Sequence, residues 1–486
     1  MPTNPSTAIL WFRRDLRLHD QPALASAAAD HDRLLPLFIV DPALVAGRFA
    51  SPTRLWFMLE AVASLRAALR AVGSDLVVRI GDAREVVPAM ARESGAGDVV
   101  VSRDHAPYGR ARDWAVAAAL AADGVRLHAK RGVLVHEPDE LATGKGTPFS
   151  VYSPFRRAWE GRERRAIIAA PTGLPALPDI DLDLGPIPSL ADLHLGDGPT
   201  ADRTQLPEPS EAAARARLER WLARGVDGYA ASRDRLDDLE GTSRLSADLR
   251  FGLLSPLEVV ERVSGAGEGR RVFTNEVVWR EFYAHVLFHR PTVLRHAYRA
   301  EFEHLPWSDD GLALAAWRDG RTGYPIVDAG MRQLAASGWM HNRARMISAS
   351  FLTKDLLIDW RAGEAHFMRE LVDGDVASNN GGWQWSASTG TDPQPYFRIF
   401  NPILQGRRFD PEGTYVRRWV PELRSVPTAR IHAPWEMTPD EQVAAGCRIG
   451  TDYPGPIVDH GQARARALAV YEAAREVARE ADRRTS

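Results

Sequence analysis

Ile9-Leu10-Trp11-Phe12-Arg13-Arg14-Asp15 sets a four-residue apolar run directly against three charges. A short apolar run closed by polar residues reads as a buried strand that delivers its carboxyl end to a cleft. The same unit recurs outward from it. Leu34–Val40, Leu76–Ile80, Val99–Ser102 and Val125–His128 are further short apolar runs, separated by amphipathic stretches. One of these, Ser51–Ala71, places Leu55, Leu59, Val62, Leu65 and Leu69 on one helical stripe. Strands alternating with helices predict an α/β domain, a doubly wound parallel sheet of Rossmann-like form. Ligands of such sheets sit beyond the strand carboxyl ends. Phe12–Asp15 and Asp41-Pro42 are therefore expected to line a cleft. No G-x-G-x-x-G opens the first helix, so no dinucleotide is expected there.

The chain has 486 residues, 45% hydrophobic and 26% charged, which describes a globular protein of two to four domains. No stretch of ~20 apolar residues is free of charge, so a spanning helix is not expected. The amino-terminal MPTNPSTAILWFRRD does not read as a signal peptide. A single cysteine, Cys447, excludes an internal disulfide framework and cysteine-based metal sites, and the expected location is cytoplasmic. The net charge of −3 leaves only a local basic groove as a route to nucleic acid. Of the 61 basic residues all but Lys130, Lys145 and Lys354 are Arg, a coding bias or a set of bidentate phosphate ligands.

Between about Gly144 and Pro209 periodicity fades and Pro and Gly accumulate. That predicts a surface connector. The expected division is a sheet domain over 1–135, a connector over 136–209 and an all-helical domain over 210–486. Glu211–Arg224, Phe273–Arg290, Ile326–Asp359 and Gly461–Arg484 read as helical, with DGDVASNNGG as an interrupting loop.

Four constellations carry candidate chemistry. On one helical face, Glu276, Trp279, Arg280 and Tyr283 combine an acid, an aromatic plate and a guanidinium that suit a flat, hydrogen-bonding ligand. The same spacing fits an amphipathic helix with a Glu276–Arg280 pair. Asn342, Arg345 and Met346 share a second face, leaving Arg343 for phosphate; a core helix with solvated arginines fits equally. Asp373-Gly374-Asp375 through Asn379, Trp383 and Trp385 suits close backbone approach to a ligand, with two acids near Arg345 able to form a buried ion pair. A surface turn is the plainer alternative. Thr242, Ser243, Arg244, Leu245 and Ser246 suit a pyrophosphate or a simple cap. No HExxH, Walker A or GxSxG is present, and no metal site is expected. Fourteen Trp, eight of them from Trp279 to Trp419, suit a large core or a pocket whose bound cofactor does the chemistry.

Together these motifs resemble the photolyase/cryptochrome family over nearly the whole chain. The resemblance rests on WFRRDLR (11–17), GTSRLS (241–246), NEVVWREFY (275–283), TGYPIVDAGMRQL (322–334), GWMHNRARM (338–346), KDLLIDWR (354–361), DGDVASNNGGWQWSASTGTD (373–392) and YFRIFNP (396–402). It implies a helical domain holding FAD and an amino-terminal antenna domain. Tyr229, Thr242, Ser243, Arg244, Leu245, Ser246 and Arg280 match the FAD cradle, and Asn379 the residue facing flavin N5. Arg345 and Asp373 match an ion pair beside the flavin ring, and Gly374 and Asp375 the adjoining edge. Trp383, Trp360 and Trp307 match an electron-hopping chain.

Within the family, Glu276, Trp279, Asn342, Met346 and Trp385 resemble the lesion pocket of class I cyclobutane pyrimidine dimer photolyases. The (6-4) photolyases carry histidines where this chain has Asn342 and Met346. Plant cryptochromes usually carry Asp at the Asn379 position, and DASH members Tyr at the Trp385 position. The implied activity is light-driven splitting of pyrimidine dimers in UV-damaged DNA by an electron from excited reduced FAD. Arg233, Arg343, Arg398 and Gln405 would grip phosphates around a flipped-out lesion. RDHAPYGR (103–110) resembles members with an 8-hydroxy-5-deazaflavin antenna, with Arg54, Asp104 and Arg250 as contacts, although Lys is usual at position 250. The alternative antenna is methenyltetrahydrofolate, or none; its Asn-Glu pair is missing here. The expected state is a monomer without membrane contact. A blue-light receptor, a (6-4) photolyase and a nucleotide-binding α/β enzyme are the other readings.

Overall fold

The computed structural model describes residues 5–485 apart from Leu239 and Gln394, so the outer domain limits at residues 1 and 486 lie outside the described residues. Five strands form one sheet: β1 Thr7–Phe12, β2 Arg33–Val40, β3 Val77–Ile80, β4 Asp98–Ser102 and β5 Arg126–Lys130. Their order is β3-β2-β1-β4-β5, and every pairing is parallel. The expected runs are found with ends shifted by one or two residues. Ile9 sits between Leu35 and Val99, so β1 is the centre of the sheet and is buried throughout.

Successive β1 side chains alternate between two cores. Ile9 and Trp11 join Leu35, Val87 and Val99 on one face. Leu10 and Phe12 face the other, where Phe38 and Phe57 belong to a cluster that continues into Phe251, Tyr229, Phe273 and Phe282 of the helical part. Phe57 stacks on Phe251 with ring centroids 5.0 Å apart. One apolar core therefore crosses the expected domain boundary. Backbone bonds reinforce it: the Leu16 N–H donates to the Phe251 carbonyl at 3.1 Å, and buried Arg17 donates to the Gly252 carbonyl at 3.0 Å.

The connector follows the surface as expected, bonding the sheet domain from Leu34 N to the Ala176 carbonyl (3.0 Å) and from Val78 N to the Leu184 carbonyl (2.8 Å). It also contains a helix that the sequence reading missed, Tyr152–Glu160, which buries Tyr152, Phe155 and Trp159. Trp159 and the chain at Val135 and His136 converge on one buried carboxylate. Glu281 accepts from Val135 N at 2.5 Å, from Trp159 Nε1 at 2.7 Å and from His136 N at 3.3 Å.

Two further expectations need correction. Ile326–Asp359 is not one helical segment. Pro325–Ser337 ends at Gly338, whose φ of +62° closes the helix, and Asn342–Ser350 follows before a single π-helical turn over Phe351–Asp355. The DGDVASNNGG stretch is not a loop past Asp375. The Asp375 side chain accepts from Ala377 N and Ser378 N and so starts the helix Val376–Ser386. Glycine is needed inside that helix because a Cβ at Gly381 would stand 2.1 Å from the Tyr283 ring. Packing overrides the weak helix propensity of Asn and Gly there.

Candidate cofactor and nucleic-acid site

Three helices supply the central residues. Glu268–His289 carries Glu276, Trp279 and Arg280; Asn342–Ser350 carries Asn342, Arg343, Arg345 and Met346; Val376–Ser386 carries Asn379, Trp383 and Trp385. The expected Arg345–Asp373 pair is present at 2.8 Å, and Arg345 Nε also donates to the Met340 carbonyl at 2.7 Å. The other Asp373 oxygen, Oδ1, is buried with no partner. Asn379 Nδ2 donates to the Glu364 carbonyl at 3.1 Å. A Cβ at Gly382, three residues on, would meet nothing within 4 Å, so space lies open beside this helix. His341 Nε2 is likewise buried and unbonded.

The expected Glu276–Arg280 pair is not formed. Arg280 turns into the seam between sheet and helices and donates to the Val133 and Leu249 carbonyls, at 3.3 and 3.4 Å. Glu276 pairs instead with Arg233 at 2.7 Å. Helical spacing allows the first contact, but the guanidinium found backbone acceptors in the opposite direction. Burial pushes the Glu276 carboxyl up, more than Arg233 holds it down.

Of the expected cradle, Leu245 is buried and Arg244 adopts φ +54° with its guanidinium 4.5 Å from the Trp339 ring. Ser243 Oγ accepts from Leu245 N at 3.4 Å, and Ser246 opens a short helix to Phe251. Thr242 is half-buried beside them. Tyr229 is buried, edge-on to Trp221 at 5.5 Å and Phe273 at 5.4 Å. Gly374 offers its carbonyl to Arg250 Nε at 2.8 Å. Asp375 pairs with Arg14, which follows β1, at 2.5 Å. Burial raises the Asp375 pKa, but Arg14, Arg250 and Arg280 together hold it well below the usual carboxylate range.

Those residues fit FAD. An unpartnered carboxylate oxygen on Asp373 and an unpartnered imidazole nitrogen on His341 need polar partners. The guanidinium of Arg280 is half-buried and bonds only backbone carbonyls, with no carboxylate on it. A flavin edge with N–H and carbonyl groups, and an anionic pyrophosphate, supply that complement.

Toward the surface, Arg343 forms a two-point pair with Asp234, at 2.7 Å from Nη2 and 3.3 Å from Nε, and lies 4.4 Å over the Phe409 ring. The arginine expected to stand aside for phosphate is thus held by an acid. Asn342 is exposed, with Nδ2 3.7 Å from Met346 Sδ. Trp279 stacks on Tyr152 at 3.7 Å with ring planes 4° apart, so one of its faces is already covered. Trp385 is half-buried. Gln405 Oε1 is buried without a partner, and Arg398 is exposed with its N–H on the Pro395 carbonyl. Trp383 has ring contacts to Phe367 at 4.9 Å and Trp317 at 6.0 Å. It is seated against Gly363, where a Cβ would stand 2.1 Å from its ring. Trp360 is fully buried and Trp307 partly so.

Arg14 after β1 and His105 after β4 flank the reversal of strand order and line a pocket there with Val133, Arg280 and Asp375. Of the expected antenna contacts, Arg54 donates to the Met368 and Leu371 carbonyls, at 2.6 and 3.0 Å, and Asp104 and Arg250 are not in the pocket lining. Burial raises the Asp104 pKa, but Arg14, Arg13 and Arg112 bring it down to about 2. Burial lowers Arg54 to about 10 and Arg250 to about 9. Asp104 also accepts from Ala106 N at 3.2 Å, as a loop cap does.

Glu281, Trp317, Glu364 and Asp234 escaped the sequence reading. Only Glu281 left a signal, an acid on the apolar Val277, Val278, Phe282 face.

Comparison with known proteins gives these positions a context. Family models match as DNA photolyase over residues 8–177 and as the FAD binding domain of DNA photolyase over 273–473. A deoxyribodipyrimidine photo-lyase of Halobacterium salinarum is 43% identical over 487 residues, covering 96% of this chain and 99% of that protein. The chain belongs to the photolyase/cryptochrome family. Within the family, the crystal structure of a bacterial class III photolyase from Agrobacterium tumefaciens superposes with a TM-score of 0.92 at 41% identity, covering 98% of this chain and 99% of that one. A Synechocystis cryptochrome superposes with a TM-score of 0.89 at 30% identity, over 97% and 100% of the two chains. The described residues include no helix long and apolar enough to cross a membrane.

Proposed function

We propose that this chain is a deoxyribodipyrimidine photo-lyase that uses light and FAD to split cyclobutane pyrimidine dimers in DNA. The observation that carries the reading is the chain of ion pairs Glu276–Arg233–Asp234–Arg343. It links the acid of the candidate lesion pocket to the helix that presents Asn342 and Met346. Supporting it are full-length relatives named for this activity.

Reduced FAD, when bound, supplies the photoexcited electron donor for ring opening. The protein's own residues do the rest. Arg345–Asp373 and Arg280 hold the cofactor, and Asn379 is oriented by the Glu364 carbonyl. Trp385 and the open face of Trp279 stack on an extruded dimer, whose flipping costs a few kcal/mol, less than for an intact pair. Glu276 and Asn342 bond its polar edge; Met346 gives an apolar wall. Arg233, Arg343, Arg398 and Gln405 meet phosphate oxygens. Trp383, Trp360 and Trp307 form the inward electron relay. Tyr229 and the Thr242–Ser246 turn complete the cradle. We assign 8-hydroxy-5-deazaflavin to the region of Arg54, Asp104 and Arg250, because the half-buried guanidinium groups of Arg54 and Arg250, bonded to backbone carbonyls, favour an anionic ring, and class I rather than class III on that ground. The assignment extends to a cytoplasmic monomer with domain limits near residues 135 and 210.

The test is an absorption spectrum of the purified protein, followed by illumination with a thymine-dimer oligonucleotide. A flavin spectrum with light-dependent recovery of thymine absorbance is expected, and extracted chromophore names the antenna. Glu276→Gln is expected to keep FAD while lowering repair per photon several-fold. A reduced flavin with no recovery would turn the reading toward a blue-light receptor or another lesion.

A further inference from the structure

Asp234 is not among the residues that the site needs for chemistry, yet it lies between both phosphate-gripping arginines. Its carboxylate makes the two-point pair with Arg343 and stands 3.9 Å from Arg233 Nε. Arg233 in turn holds Glu276. Two cations and two acids therefore close a charge-neutral chain at the surface. The four side chains retain 16–33% of their exposure, so DNA can reach them.

We infer that Asp234 is a specificity-determining residue, an internal competitor that occupies Arg343 until a phosphate displaces it and so weakens binding to undamaged DNA. The inference rests on the DNA-repair reading above. A phosphate on intact duplex gains Arg343 only by breaking the Asp234 pair. A lesion seated in the pocket also engages Glu276. That contact loosens Arg233, whose five N–H donors then serve Asp234, already 3.9 Å away, as well as a phosphate. Arg343 is released at the moment the lesion arrives. Backbone grip and lesion recognition are coupled through one carboxylate, and discrimination rises because the non-specific complex lacks the second half of the exchange.

The test is Asp234→Asn, which keeps the side-chain shape and removes the charge, with duplexes containing or lacking one thymine dimer. Binding to undamaged duplex is expected to tighten roughly three- to tenfold, with less gain on damaged duplex. The slope of log K against log salt should steepen by about one phosphate for undamaged DNA. Arg343→Gln in the Asp234→Asn background should abolish the gain. Asp234→Glu, which restores the charge, should return discrimination toward wild type and guards against a folding defect in the first variant. If wild type prefers dimer-containing DNA but Asp234→Asn has the same affinities and slopes, the competitor role is overturned and the repair reading stands. If wild type shows no preference for the dimer, the repair reading itself fails.

Discussion

Two buried carboxylates on the helical side of the molecule have opposite surroundings. Glu281, at the seam with the connector, has three donors from Val135, His136 and Trp159. Asp373, on the floor of the candidate cofactor site, has Arg345 on one oxygen and nothing on the other. A carboxylate with its acceptor capacity filled locks chain segments together. One with a buried, unbonded oxygen costs stability unless something arrives to bond it. The seam was built for the fold and the floor for a ligand.

The sharpest way to break that contrast is Glu281→Ala. It strands three buried donors and should cost about 3–5 kcal/mol, visible as a fall in the thermal midpoint of roughly 5–10 °C. A midpoint within 1 °C of wild type would remove the seam's structural role. Next comes acid. The Asp104 pKa lies far below its unfolded value of 3.8, at about 2, so its contribution is present above pH 4 and lost as pH falls toward 2. Burial raises Glu281 instead, so the part of its contribution that comes from protonation is present at low pH and lost as pH rises through its folded value, while its three hydrogen bonds remain. Asp104→Asn should cost about 2 kcal/mol at pH 7 and flatten the melting profile between pH 4 and 2. A profile as steep as wild type's would place the acid sensitivity elsewhere. The smallest effect on stability belongs to the floor. Asp373→Asn should leave the flavin-free unfolding free energy within about 1 kcal/mol of wild type while weakening FAD binding about tenfold, read by flavin fluorescence titration. Equal losses in both would make Asp373 a seam residue too.

The sheet was legible because its inner strands β1, β2 and β4 are buried on both faces and read as apolar runs, as Leu34–Val40 does. Motif chemistry was legible where partners are close in sequence or matched a known pattern, as with Arg345 and Asp373. What failed depended on distant packing. The Gly-Asn stretch after Asp375 looked like a turn because Tyr283, which requires Gly381, is about a hundred residues away. Arg280 was expected to face Glu276 because helical spacing shows which residues share a face, not which acceptors another segment brings to them. Asp234 was invisible for the same reason, since its partner Arg343 lies 109 residues on.

Asp375 is the helix cap before Asn379 and the counter-ion of Arg14 at the end of β1. Its two oxygens therefore divide their labour across the molecule's two halves, one setting the first turn of the helix that carries Asn379 and the other moored to the parallel sheet. Any slippage between the halves would tug on the register of Asn379, so this one side chain adds a polar tie, aimed at the candidate site, to the apolar core and backbone bonds that already cross the interface.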